Sequence, residues 1–193
     1  TEQNAFTTIP NINFQSQLGV IENFIQRSFL QIVTSIFMFG IGIMLIGVIV
    51  IFGDLSREYR TMGWMACIAI SSALWVMATT GIIQLFVTNY RVIGYIEFLS
   101  LDFLLLFFLI FIYELHYERK VKIPLGGLII MTIIFILTSI ICDITNIAHL
   151  PEFLTAYHTL AVIVFFVTIT VSFLQWRKNK DSAEGILLKG ILF

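Results

Sequence analysis

The stretch FLSLDFLLLFF (98–108) sets one carboxylate, Asp102, among leucines and phenylalanines. A carboxylate can accept hydrogen bonds, hold a cation or exchange a proton. In the middle of an apolar helix it also costs about 2.5–3.5 kcal/mol on membrane-insertion scales, and it normally faces a bundle interior or a wet cavity. Other polar residues occur at a similar level of neighbouring apolar stretches. Thr80 and Gln84 stand four apart, which predicts one helical face. Glu97 and Ser100 precede Asp102, CDITN (142–146) predicts Asp143 and Asn146 on a shared face, and Tyr157 and His158 open a later stretch. Trp75 adds a flat aromatic surface. The candidates for ligand binding are therefore Asp102, His158, Gln84, Glu97, Asp143, Thr80, Trp75 and Tyr157, and together they predict a polar cavity opening at one end of a helical bundle. Each also has a plainer reading: Asp102 as interhelical glue, His158 as an interfacial histidine, Trp75 as packing, and Asp143 and Glu97 as boundary carboxylates. Glu97 and Asp102, five residues apart, point about 140° apart on a helix, which argues against a paired-carboxylate acid/base site.

The remaining chemistry is narrowed by what the motifs lack. GIGIMLIG (40–47) is one glycine short of a dinucleotide-binding fingerprint, and Gly40 and Gly47 read better as points of close helix approach. No P-loop, H-E-x-x-H or nucleophile elbow occurs. Three histidines are too scattered for a three-histidine zinc site on one side, so neither a metal nor a cofactor is assigned. Cys67 and Cys142 stand apart inside apolar stretches and read as small buried hydrophobes. Nucleic acid is not an expected partner.

The elements that must position these residues are membrane helices. Of 193 residues, 59% are hydrophobic and 12% charged, against roughly 25% charged in a soluble domain. Apolar stretches long enough to span a bilayer run over 28–53, 62–88, 92–115, 125–147 and 153–176. A sixth starts at GILLKGILF (185–193), whose nine helical residues rise only about 14 Å. We expect the natural protein to continue past Phe193, and the absence of an initial Met to mark a processed or excised chain. The expected fold is an all-α integral membrane protein, an antiparallel bundle of five complete helices plus the start of a sixth. Residues 1–26 would form an extracytoplasmic lead-in and 27–193 the membrane domain. Within the lead-in, 15–26 has helical spacing of apolar residues, suiting either a surface-lying helix or a simple run-up to the first span. Eight basic residues fall in the first, third and fifth connections, and only Arg27 and Arg91 on the opposite side. The positive-inside rule then places the N-terminus outside the plasma membrane.

REYRTMGWMACIAISSALWVMATTGIIQLF (57–86), YIEFLSLDFLLLFFLIFIYEL (95–115) and ICDITNIAHLPEFLTAYHTLAV (141–162) together carry a resemblance. The chain resembles the membrane portion of bacterial seven-transmembrane receptors with diverse intracellular signalling modules, of the kind that precede GGDEF diguanylate cyclase domains. That resemblance implies a sensory domain without catalysis in these helices, homodimeric through its signalling output, regulating a cyclase or kinase beyond Phe193. The residues imply a lipid-bilayer partner and a small-molecule or ion ligand. Two other readings stand beside this one. A transporter or proton relay would use Asp102, and an intramembrane metal-dependent hydrolase would use Asp102, Ser100 and His158 but needs further histidines.

Overall fold

Within hydrocarbon every backbone amide must bond inside its own segment, so the apolar stretches have little choice but helix. A computed structural model of the chain describes residues 17–53, 56–116 and 118–178. The lead-in over 1–16 and the sixth-helix start at 185–193 lie outside them. Five long helices follow one another: α1 (Gln17–Phe52), α2 (Arg57–Thr79), α3 (Tyr90–Leu115), α4 (Arg119–Ile144) and α5 (Leu154–Lys178). All five include a run long and apolar enough to cross a membrane, and no strand occurs among the described residues. The contacts between them set an up-and-down order. The end of α3 meets the start of α2 through Glu114 and Arg57, the start of α3 meets the end of α4 through Tyr95 and Asp143, and α5 runs parallel to α3, with Tyr157 reaching Leu101. One end of the bundle thus carries the basic connections α1–α2 and α3–α4, and the opposite end carries α2–α3 and α4–α5.

Residues 17–27 run straight into α1 as one continuous helix, which favours the run-up over a separate surface helix. The second span differs more. The apolar pattern predicts a helix through residue 88, but α2 stops at Thr79, because Gly81 adopts φ 77°, the left-handed conformation that ends a helix and favours glycine. A short 3₁₀ turn, Ile82–Leu85, follows. Thr80 and Gln84 therefore do not share a helical face. Likewise α4 ends at Ile144, and Asn146 lies beyond it with φ 56°, off the face that carries Asp143.

The packing inverts the logic of a soluble domain. Large apolar side chains such as Leu30, Phe37, Val50 and Ile144 point outward, whereas Ser35, Ser71, Ser100, Asp102, Thr132, Ser139, Thr168 and Ser172 are buried. Lipid tails are as apolar as leucine, so outward leucines cost nothing there, and small residues let helices approach closely. On α2 the buried positions are Ala66, Ala69, Ser71, Ala73 and Ala78. The glycine that uses this space is Gly42: a Cβ there would meet Ile70 Cγ1 at 2.5 Å and the Ala66 carbonyl at 3.2 Å, while Gly40 and Gly47 have nothing within 4 Å. Close approach of α1 to α2 is thus built on Gly42 and not on Gly40 or Gly47. The main apolar core joins α3, α4 and α5 through Leu105, Leu109, Ile112, Leu125, Leu160 and Val164.

Candidate functional site

Asp102 stands at the middle of α3, about 18–20 Å from either end of the helix. It is 7% exposed. Its carboxyl lines a void between α3, α4 and the start of α5, with Leu101, Ser139, Leu150, Phe153 and Tyr157 among the walls. The void amounts to about 10 Å³, room for about one water molecule. No hydrogen bond from the described residues reaches the Asp102 carboxyl. Ser139, buried on α4, spends its hydroxyl on its own helix, donating to the Ile136 carbonyl at 2.9 Å. Tyr157, buried on α5, donates to the Leu101 carbonyl at 3.2 Å. Its hydroxyl therefore ties α5 to α3 one residue from Asp102. Among the described residues no other charged side chain lines the void.

A second polar cluster closes the same half of the bundle. The Asp143 carboxylate, at the end of α4, accepts from the Tyr95 hydroxyl of α3. It also accepts from the Leu150 amide and meets His149 Nδ1, both at 3.4 Å. One side chain thus joins α3, α4 and the connection into α5. Leu150 belongs to both arrangements, held by Asp143 through its amide and lining the same void as Asp102. Tyr95, His149 and Ser139, which complete these two arrangements, are not among the ligand-binding candidates of the sequence.

The other candidates lie apart. His158 is exposed, with Nδ1 against the Leu154 carbonyl of its own helix at 2.6 Å and its ring edge-on to Tyr157 at 5.8 Å. Gln84 is exposed on the 3₁₀ turn. Thr80 caps α2 and returns its hydroxyl to the Val76 carbonyl at 2.7 Å. Glu97 and Trp75 are half-buried and line none of the cavities described. Only Asp102 and Tyr157 share one site, and Asp143 anchors the neighbouring cluster.

More open space lies at the basic end. Between α1 and α2 a cleft of about 480 Å³ is walled by Ile46, Ile49, Trp64 and Cys67 and rimmed by Tyr59, Arg60 and Glu114. Arg60 pairs with Glu114 at 3.5 Å, and Arg57 donates from Nε to the Glu114 carbonyl at 2.6 Å. Two α2 arginines therefore hold the C-terminal turn of α3, where a cation complements exposed carbonyls. No group of three or more His, Cys, Asp or Glu suited to a metal occurs among the described residues.

An apolar exterior over an interior of small and polar residues defines the class: an all-helical, multi-pass membrane protein. Comparison with known proteins adds no closer identity, since no family model matches the sequence and no curated protein or solved structure is similar to it.

Proposed function

We propose that the chain is the membrane-embedded sensory domain of a bacterial signalling receptor, and that Asp102 is the group through which it responds, by taking up or releasing a single small cation or a proton. The observation that carries this reading is the buried Asp102 carboxyl, which no hydrogen bond from the described residues reaches and which borders a void of a water's size. A carboxylate kept for architecture finds donors, because an unsatisfied buried polar group costs stability. Asp143 in this same chain does so, with three of them. An orphaned acid at mid-span is a cost that function can justify. The small volume favours an ion over an organic molecule.

A change at Asp102 would bias how α5 sits on α3, since the Tyr157 link to Leu101 is adjacent in the chain. Such a ligand shifts a pre-existing equilibrium by its differential affinity for the two helix arrangements. In the orientation inferred from the basic connections, α5 then carries the shift toward the cytoplasm, where a dimeric cyclase or kinase would receive it. The test is Asp102→Asn in the full-length protein, which keeps side-chain shape and removes the ionisable group. Under this reading the variant folds, and its output no longer responds to external pH or cations. An unchanged response in a folded variant would sink it.

A further inference from the structure

At the basic end, α3 and α4 leave a groove of about 420 Å³ between them. Along α4 its lining residues are Arg119, Lys122, Ile123, Gly126, Gly127 and Ile130. They recur every three or four positions and so form one helical face. That face is graded. Its two cations stand in the first turn, and only glycine and isoleucine follow toward the middle of the bundle. Across the groove lies Tyr113 of α3, with the Lys122 ammonium 4.6 Å from its ring centre. The glycines make the room: a Cβ on Gly126 would come only to 3.9 Å from the Tyr113 ring, and one on Gly127 would meet nothing within 4 Å. The other large cleft at this end has its arginine already paired with Glu114. Among the described residues no acidic side chain lines this one.

We propose that this groove seats one anionic phospholipid, its phosphate on Arg119 and Lys122 and an acyl chain laid over Gly126 and Gly127 beside Ile130. Charge complementarity supplies the headgroup end, since basic recesses between membrane helices suit anionic headgroups. The apolar end is continuous with the outward, lipid-suited surface of α4, on which Ile123 and Ile130 are exposed. A zwitterionic lipid would fill the same groove but gain little from the two cations.

The test is titration of the full chain in detergent micelles with phosphatidylglycerol and with phosphatidylcholine, read by native mass spectrometry. Two surface-level cations predict that phosphatidylglycerol binds roughly thirtyfold more tightly. The double variant Arg119→Gln/Lys122→Gln should erase that preference. Gly127→Leu, whose side chain grows into open space, should weaken phosphatidylglycerol at least tenfold with both cations in place. Millimolar inorganic phosphate should not displace the lipid. Helical content by circular dichroism certifies each variant. A preference that survives the double variant overturns the proposal, as does a Gly127→Leu chain that binds phosphatidylglycerol normally. Displacement by phosphate alone would also overturn it, reducing the site to one for a free anion.

Discussion

The joint between Tyr95 and Asp143 makes a quantitative prediction about what holds α3 to α4. Asp143 receives three donors, but the His149 and Leu150 contacts are long at 3.4 Å, and hydrogen bonds weaken beyond about 3.2 Å. The His149 side chain is also 62% exposed, where an ion pair contributes about 0.2–1 kcal/mol. The Tyr95 hydroxyl carries most of the interaction. A hydrogen bond to a charged group contributes about 1.5–3 kcal/mol in soluble proteins, while side-chain hydrogen bonds between membrane helices average about 0.6 and reach about 1.7 kcal/mol. Because this pair bridges two helices at one side chain, we expect Tyr95→Phe to cost about 1–1.5 kcal/mol. A double-mutant cycle with Asp143→Asn should give a coupling of about 1 kcal/mol. The parallel cycle of His149→Ala with Asp143→Asn should stay below about 0.5 kcal/mol. Both are measured by reversible unfolding of the full chain in mixed micelles. A Tyr95–Asp143 coupling near zero, or one no larger than that of His149, would refute the reasoning.

Two further outcomes follow from packing. Gly42→Val should destabilise the bundle by about 1–3 kcal/mol through overpacking, because its Cβ would collide with Ile70. The same assay should find Gly40→Ala neutral to about 1 kcal/mol stabilising, since nothing lies within 4 Å of Gly40 and alanine suits a helix better. Thr168→Val and Ser172→Ala should each raise stability by about 1 kcal/mol, because both hydroxyls are buried without a hydrogen-bond partner. A loss of stability in either would mean that the hydroxyl bonds something in the membrane.

The five spans were legible because a bilayer imposes one length and one polarity on every helix. Asp102 stood out for the same reason: a charge that costs several kcal/mol is visible against leucine. Where helices stop was harder to read, since TTGIIQLF (79–86) stays apolar past the glycine whose left-handed backbone ends α2. Rotation about each helix axis was hidden too. Tyr157 and His158 are neighbours about 100° apart, and nothing in the chain itself says that the tyrosine turns inward and the histidine outward. Ser139 was silent because a serine within a helix usually bonds its own backbone, as it does here. The Tyr95–Asp143 link and the grooves at the basic end arise between helices, so no single stretch announces them.

The central claim is that Asp102 changes state while Asp143 and Glu114 keep their partners. Infrared difference spectroscopy of the full chain in membranes, comparing acidic with neutral buffer, tests it most directly. The account predicts a carboxylic-acid carbonyl band that disappears in Asp102→Asn, accompanied by an amide change that reports movement of the helices. Spectra that are identical in wild type and Asp102→Asn would contradict it, leaving Asp102 an inert buried acid.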